Sequence, residues 1–543
     1  MGRVTGAPVD WPTRDLVTHR ARTTPQRTAV IDTETNESWS FRELDRRVDD
    51  AARGVRRALE NPAADRLGIL MDTRPAFATV FFAAMRLGAT VVPLNVRETA
   101  GELAAKVERT ELAAIVCEAG TESSALELAG EATLEDGCVW SVDDPETERT
   151  RALYRDRRAA EPPSEADRAV EAVSLERDDT QLLMFTSGTS GEPKGVRLTL
   201  GNLVASATAS AFRLGVDPDD RWLCCLPMYH MGGLAPVVRS VLYGTAVVIQ
   251  RAFEPRETAR VLETEDLTGV SLVPTMCKRL LDAGWHPAET LRFVLLGGAP
   301  ASSDLLERCH EAGVPVHPTY GMTETASQIA TATPAETRRH EGTAGQPLAF
   351  TDVTIVDDEG APVPAGEPGE IVVSGPTVTP GYLESEQTDA AFGDRGLRTG
   401  DVGYADEDGR LWVLNRRSDR IVTGGENVDP GEVVRALRSH PAVADAAVVG
   451  LEDPEWGERV GALVVPEAGG EPAAGRSEVV AESLDLESVL AHCDERLAGF
   501  KRPKTLAAAE SLPRTPSGTV DREATRAHLF ESGTDVSDWS RSK

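Results

Sequence analysis

The chain has 543 residues, and 57 lysines and arginines against 88 aspartates and glutamates give a formal net charge of -31 at pH 7. Hydrophobic residues make up 41% of the sequence, which supplies large cores and excludes general disorder. The length predicts several domains. Because so much negative charge repels phosphate backbones and anionic bilayers, we expect neither a nucleic-acid partner nor a membrane partner.

Lysine is nearly absent, with only six residues: Lys106, Lys194, Lys278, Lys501, Lys504 and Lys543. An acidic, lysine-poor composition suits concentrated salt, where screening relieves self-repulsion, and indicates a halophilic source. An ordinary acidic bacterial protein is the alternative. The seven cysteines lack metal-ligand spacing, and the first residues lack the apolar segment of a secretion signal. We therefore predict reduced thiols and a cytoplasmic location.

Helical and strand patterns alternate along the first part of the chain and predict a large α/β domain of two subdomains, the first from residue 15 to about residue 140 and the second beginning at residue 182. After residue 344, short apolar runs separated by Gly and Pro predict a small antiparallel β-barrel or sheet. A small, mobile α+β C-terminal domain follows. We place the domains at 1–417 and 418–543, with an acidic surface insertion near 466–486.

The most informative segment is LLMFTSGTSGEPKGV, in which an apolar strand enters a loop rich in glycine and hydroxyl groups. Glycine lets successive backbone N–H groups converge on an anion, and the hydroxyls and a lysine add donors. The candidate phosphate ligands are Thr186, Ser187, Gly188, Thr189, Ser190, Gly191 and Lys194. The spacing differs from that of a Walker A loop. A flexible hairpin without a ligand is the alternative.

Four further motifs follow in order, and together with TSGTSGEPKG they resemble the acyl-adenylate-forming family of acyl-CoA synthetases, luciferases and peptide-synthetase adenylation domains. They are GGAP at 297–300, YGMTET at 320–325, RTGD at 398–401 and RRSDRIVTGGENVDPGE at 416–432. The resemblance extends from about residue 15 to residue 529. It implies that the protein is an enzyme that binds ATP and Mg²⁺.

The resemblance also assigns roles to individual residues. Lys194 and Thr323 would contact phosphate, Glu324 would hold Mg²⁺, and Asp401 would accept hydrogen bonds from the ribose, with Arg416 as a second nucleotide contact. The adenine would lie between a flat wall and the Tyr320 ring. The remaining nucleotide-binding candidates are Gly297, Gly298, Ala299, Pro300, Gly321 and Met322. Taken singly, each motif could instead be a turn, a helix cap or a surface charge.

Within the family, three segments are similar to the ligases that join o-succinylbenzoate to coenzyme A in menaquinone biosynthesis. They are 226–248, 320–331 and 416–428. That acid has two carboxylates, so a basic group should recognise the one that does not react. The candidate substrate residues are His230, Arg239 and Thr275. His230 could instead be a polar wall residue and Arg239 an ordinary helix arginine. A coenzyme A ligase for another aryl or fatty acid is an alternative function.

The implied reaction has two steps. The acid first attacks MgATP to give an acyl-adenylate and pyrophosphate, and coenzyme A then displaces AMP. In this family the small domain rotates between the steps about a hinge that matches Arg417, Ser418 and Asp419. Gly424 and Gly425 would let the pantetheine arm of coenzyme A pass close to the backbone. Whether the chain forms a homo-oligomer is left open.

One position departs from the family pattern. The C-terminal motif PRTxxGK reads PRTPSGT here, so Thr519 replaces a lysine that reaches the α-phosphate during adenylation. Three consequences are open. Adenylation would be slowed, or a nearby cation (Lys501, Lys504 or an arginine) would substitute for the lysine. Alternatively, high salt, Mg²⁺ and Lys194 would together supply enough positive charge. Thr519 could also simply cap a helix. A non-catalytic protein that binds nucleotide or acyl-adenylate is therefore the rival hypothesis from a different class.

Overall fold

The computed structural model describes residues 14–154, 170–186, 193–419, 421–423, 426–428, 430–454, 456–467, 484–514 and 520–537. The chain divides into two compact units. Unit 1 comprises residues 1–353 and 373–397, and unit 2 comprises residues 354–372 and 398–543. The domain boundary that we expect at 417/418 stays a prediction.

A seven-stranded sheet forms one half of unit 1, in the order β7-β6-β5-β3-β4-β8-β9. Its strands are β3 (Arg66–Leu70), β4 (Thr90–Pro93), β5 (Leu112–Cys117), β6 (Val139–Ser141), β7 (Arg151–Ala152), β8 (Thr180–Thr186) and β9 (Lys194–Thr199). Helices α3 (Pro75–Leu87), α4 (Ala100–Thr110) and α5 (Glu122–Glu131) connect the parallel strands. Only β8 and β9 form an antiparallel hairpin among these described pairs.

A nine-stranded sheet forms the other half of unit 1, in the order β16-β15-β14-β13-β12-β10-β11-β1-β2. Its strands are β1 (Thr28–Asp32), β2 (Ser38–Ser40), β10 (Arg221–Cys224), β11 (Ala246–Ile249), β12 (Gly269–Leu272), β13 (Phe293–Leu296), β14 (Val316–Met322), β15 (Ser327–Thr331) and β16 (Gln346–Pro347). The helices associated with it are α1 (Leu16–Thr23), α2 (Phe41–Ala58), α6 (Leu200–Leu214), α7 (Met231–Tyr243), α8 (Pro255–Thr264), α9 (Pro274–Asp282), α10 (Ser303–Glu311) and α11 (Pro334–Arg339).

A five-stranded sheet corresponds to the small β-barrel predicted after residue 344, and the division between the two units falls within its strands. The strands are β17 (Asp352–Val356), β18 (Gly369–Ser374), β19 (Phe392–Gly393), β20 (Gly396–Ala405) and β21 (Leu411–Arg416), with α12 (Ser385–Ala391) before β19. Strand β20 pairs antiparallel with β19 and β21.

The rest of unit 2 is an α+β fold around a six-stranded sheet, in the order β23-β22-β25-β26-β27 with β24 beside β25. The strands are β22 (Ile421–Thr423), β23 (Glu426–Val428), β24 (Val443–Asp453), β25 (Gly457–Pro466), β26 (Thr505–Ala508) and β27 (Thr534–Asp535). The helices are α13 (Pro430–Arg438), α14 (Leu486–Asp494) and α15 (Arg522–Ser532). The predicted fold class is confirmed, while most of the predicted acidic insertion, 468–483, lies outside the described residues.

None of the helices in the described residues combines the length and the apolar character needed to cross a bilayer. All seven cysteines are described, and each is buried and carries a free thiol, as the sequence predicts.

A buried arginine ties the first three helices of unit 1 together. Arg86 of α3 is 2% exposed and binds Asp15, the N-cap of α1, at 3.0 Å. It also binds Asp45 and Asp49 of α2, both at 2.6 Å. Burial alone would disfavour the charged form, but these carboxylates raise the pKa of Arg86 above its usual value. The guanidinium is therefore a fully compensated buried charge.

We expect Arg86→Met to destabilise unit 1 by about 3–5 kcal/mol, because the three aspartates would keep their charge without the cation. The shift of the urea unfolding midpoint measures this loss. Arg260→Met is the control, because Arg260 pairs with Glu257 on the exposed face of α8, and it should change stability by less than about 0.5 kcal/mol. Equal midpoints for both variants would contradict the structural role of Arg86.

Candidate active site

The predicted phosphate loop connects the two strands of the β8/β9 hairpin. The strand register places Thr186 opposite Lys194 and Phe185 opposite Gly195, so both ends of the loop are fixed by backbone pairing. Ser187, Gly188, Thr189, Ser190 and Gly191 lie outside the described residues. The structure therefore positions the first and the last of the predicted phosphate ligands.

A tyrosine that the sequence analysis missed lies between two predicted catalytic residues. The Tyr382 hydroxyl donates to Glu324 Oε1 at 3.0 Å, and the Lys194 Nζ lies 5.1 Å from the centroid of the Tyr382 ring. Glu324 is 5% exposed. Tyr382 follows a Pro-Gly pair in a segment without periodicity, so only its aromatic character in a turn could have drawn attention to it. The structure thus brings Lys194 and Glu324 to one aromatic ring.

The turn that carries Thr323 and Glu324 is held through its backbone. Residues Thr323–Thr325 form a single 3₁₀ turn, which ends at Ala326 in the left-handed region with φ 51°. The Glu324 carbonyl accepts from Thr379 N at 2.7 Å, and the Ala326 carbonyl accepts from Ser206 Oγ of α6 at 2.7 Å. These bonds fix the turn from two sides, which orients a carboxylate better than a free loop would.

The GGAP segment follows β13 and Tyr320 lies in β14, and these two strands pair in parallel, so the two segments lie side by side. A Cβ on Gly297 would lie 2.7 Å from Thr319 Cγ2, so only glycine allows the two segments to approach this closely. A Cβ on Gly321 would lie 1.7 Å from the Ser327 carbonyl oxygen. Gly298, Ala299 and Pro300 continue from this point, and Met322 ends β14. The residues predicted to surround adenine are therefore neighbours.

Unit 2 carries the remaining predicted nucleotide contacts. Asp401 of β20 is 5% exposed and lies opposite Arg416 of β21, with an ion pair of 2.9 Å between Arg416 Nε and Asp401 Oδ1. Arg417 binds Glu370 at 2.7 Å and opens the 3₁₀ turn Arg417–Asp419, which includes Ser418. Gly424, Gly425 and Thr519 lie outside the described residues.

A small cavity in unit 1 lies between α6, α7 and the residue that ends the Thr323–Thr325 turn. It is lined by Leu203, Ser206, Ala207, Met231, Ala235, Val238, Arg239 and Ala326. His230, the exposed N-cap of α7, immediately precedes Met231. Thr275 lies half-buried in the first turn of α9 and does not line this cavity. The cavity therefore lies between Arg239 and Ala326, the residue that follows the Thr323–Thr325 turn.

Arg239 is buried in this cavity without a counter charge. Arg239 is 2% exposed, and its Nε and Nη2 atoms have no hydrogen-bond partner within the described part of the chain. No ion pair to Arg239 occurs among the described residues, and burial lowers the pKa of its guanidinium. Burial also raises the pKa of the neighbouring Tyr243 to about 12, so this phenol stays neutral. The arginine is thus a buried cation that an anionic ligand would compensate.

The start of α7 explains how this helix comes to line the cavity. A Cβ on Gly233 would lie 2.3 Å from the Pro227 carbonyl oxygen, so glycine is required where the helix abuts the preceding segment. Pro236 is accommodated inside the helix, whose residues from Leu234 to Val241 are buried. The helix therefore places Arg239 in an apolar interior, well away from solvent.

Comparisons with known proteins show the family of the chain. The model of the AMP-binding enzyme family matches residues 17–383, and that of the AMP-binding enzyme C-terminal domain matches residues 432–519. The chain is 38% identical over 505 residues to a 2-succinylbenzoate–CoA ligase of Bacillus velezensis, covering 93% of this chain and 95% of that protein.

Two solved structures of o-succinylbenzoate coenzyme A synthetase from Bacillus subtilis are also similar. The complex with the acyl-adenylate intermediate has a TM-score of 0.79 at 33% identity and covers 94% of this chain and 98% of that one. The complex with ATP and magnesium ion has a TM-score of 0.77 at 33% identity, with coverages of 95% and 99%. The sequence motifs, the two-unit α/β fold and these matches agree, and the chain belongs to the AMP-binding enzyme family.

Proposed function

We propose that this protein ligates o-succinylbenzoate to coenzyme A, using ATP and forming an o-succinylbenzoyl-adenylate as the intermediate. The products are o-succinylbenzoyl-CoA, AMP and pyrophosphate. Proteins named for this activity are similar to this chain over nearly its full length. The reaction belongs to menaquinone biosynthesis, and we further propose a cytoplasmic enzyme adapted to high salt, in keeping with its acidic, lysine-poor composition.

The observation that carries the proposal is the uncompensated guanidinium of Arg239. A charge buried without a partner destabilises the fold by several kcal/mol, so a buried, unpaired arginine indicates a functional role. A dicarboxylic acid substrate accounts for it, because one carboxylate reacts while the other can pair with the arginine. The small cavity lined by Arg239 is also lined by Ala326, two residues from Glu324, and this supports a site for the unreacted carboxylate at Arg239.

In the first step, an oxygen of the succinyl carboxylate attacks the α-phosphorus of ATP, and the bond to the leaving pyrophosphate breaks. Lys194, Thr323 and the hydroxyls of the phosphate loop bind the phosphate oxygens on which negative charge accumulates. Tyr382 holds the Glu324 carboxylate in place by its hydrogen bond. Asp401 and Arg416 bind the ribose and the nucleotide.

Glu324 fits a magnesium ion that arrives with ATP. In the described part of the chain, no group of three or more His, Cys, Asp and Glu side chains could hold a metal ion by itself. Mg²⁺ does not need such a cage, because it binds one or two carboxylates together with substrate phosphates and water. When bound, it neutralises charge on the phosphates.

In the second step, the thiolate of coenzyme A attacks the acyl carbon and displaces AMP. We propose that the turn Arg417–Asp419 is the hinge between the steps, and that Gly424 and Gly425 leave room for the pantetheine arm.

The proposed function is tested by pyrophosphate release with o-succinylbenzoate, benzoate and medium-chain fatty acids in parallel, in molar KCl. We expect release with o-succinylbenzoate and at most a trace with the monocarboxylates. Preferred use of a monocarboxylate would favour a different coenzyme A ligase, and no adenylate from any acid would favour the non-catalytic binding protein.

Arg239→Leu should raise the KM for o-succinylbenzoate about 100-fold, because losing one partner of a buried charge pair costs about 2–5 kcal/mol. The KM for ATP should stay the same. The variant should unfold at the same urea concentration as the wild type or a higher one, since it removes an uncompensated charge.

Arg239→Lys is the matched control, because it keeps the positive charge but loses the planar fork that binds a carboxylate through two bonds. Its KM for o-succinylbenzoate should lie between that of the wild type and that of Arg239→Leu. An unchanged preference for o-succinylbenzoate over benzoate in Arg239→Leu would remove this arginine from the acid site.

Thr519→Lys tests whether the missing lysine limits the first step. Restoring it should speed acyl-adenylate formation without coenzyme A by about 100- to 1,000-fold, since one preorganised contact to the transition state is worth about 2.7–4 kcal/mol. Thioester formation from preformed adenylate should stay nearly unchanged. Adenylation at the wild-type rate would show that another cation already acts there, and Lys501→Ala and Lys504→Ala would then identify it.

A further inference from the structure

Among the described residues, the group that lies against the buried Arg239 guanidinium is an aromatic ring and not an acidic side chain. The Cζ atom of Arg239 lies 5.4 Å from the centroid of the Trp222 ring. Trp222, on β10, is 5% exposed, so the contact is shielded from water. A cation over an aromatic face is attracted by the electrons of the ring, most strongly over tryptophan and where water is excluded. The ring therefore stabilises the cation without neutralising it.

The orientation of the Trp222 ring is fixed by two further contacts. Its Nε1 donates to Ser271 Oγ of β12 at 3.2 Å. The Phe293 ring packs edge-on against it, with centroids 4.7 Å apart and an interplanar angle of 70°. Aromatic pairs favour this edge-to-face arrangement. We call Trp222 and Phe293 the aromatic platform of Arg239.

A glycine makes room for the platform. Gly269 is the strand neighbour of both Trp222 and Phe293. A Cβ on Gly269 would lie 2.0 Å from the Phe293 ring, so any other residue would displace this ring from the tryptophan. The sequence of the sheet is thus adapted to the platform.

We propose that Trp222 is a positioning residue for substrate recognition, which holds the Arg239 guanidinium in the orientation that receives the second carboxylate of the acid. An acidic side chain in the same place would fix the arginine equally well but would occupy the hydrogen bonds needed by the substrate. The aromatic face leaves them available. The inference rests on the proposed function, because it requires that Arg239 bind the acid.

Trp222→Leu should raise the KM for o-succinylbenzoate about tenfold, as loss of a desolvated cation–π contact predicts. The turnover number and the KM for ATP should not change, because the contact acts equally in the ground state and the transition state. Trp222→Phe keeps a ring and should raise that KM only about threefold. The ratio of kcat/KM for o-succinylbenzoate to kcat/KM for benzoate should fall more in Trp222→Leu than in Trp222→Phe.

Trp285→Leu is the matched control. Trp285 is also a buried tryptophan of unit 1, but it belongs to a separate core cluster that does not include Trp222 or Arg239. It should lower stability without changing the ratio between the two acids. If Trp222→Leu does not fold, the ratio in Trp222→Phe decides the question.

A double substitution separates positioning from general packing. In an Arg239→Leu background, Trp222→Leu should have no further effect on the ratio, because the residue it positions is already gone. A wild-type ratio in the single variant Trp222→Leu, or an equal loss in both backgrounds, would overturn the proposal. No use of o-succinylbenzoate by the wild type would instead overturn the proposed function and this inference with it.

Discussion

A guanidinium in a low-dielectric interior is stable only when something offsets its charge, and the described residues of unit 1 include two buried guanidinium groups whose charges are offset differently. Arg86 and Arg239 are both 2% exposed. Arg86 binds three aspartates and ties helices together, whereas Arg239 has an aromatic ring and no carboxylate within the described residues. The first is a structural charge, and we propose that the second is one that the substrate completes. In that proposal, the acid specificity depends on this difference.

The surrounding fold connects this charge to the reacting groups. Helix α6 lines the cavity and also binds the Ala326 carbonyl through Ser206, so the cavity and the turn bearing Glu324 are both held by this helix. Tyr382 donates a hydrogen bond to Glu324, and its ring lies near the ammonium group of Lys194 at the end of the phosphate loop. Within unit 1, the groups proposed to bind the acid and the phosphates therefore occupy one continuous set of packed elements, which would favour a fixed distance between the two ends of the substrate.

Local patterns predict much of this structure but not its long-range contacts. The segment at 41–59 reads as an amphipathic helix and forms α2, and the five motifs give the family. Arg239 is predicted as a candidate from its position, yet its lack of a counter charge depends on which side chains the sheet and α6 bring around it. Trp222 and Tyr382 are missed because each acts on a residue distant in sequence, and no periodicity reports such pairing.

A crystal structure of the protein with o-succinylbenzoate and ATP tests the central claim most directly. The quantity to measure is the distance between the unreacted carboxylate oxygens and the Arg239 nitrogens. We expect two hydrogen bonds of about 2.7–3.2 Å, with the guanidinium still over the Trp222 ring. A carboxylate held by another cation or exposed to solvent, with Arg239 still without an anionic partner, would contradict it.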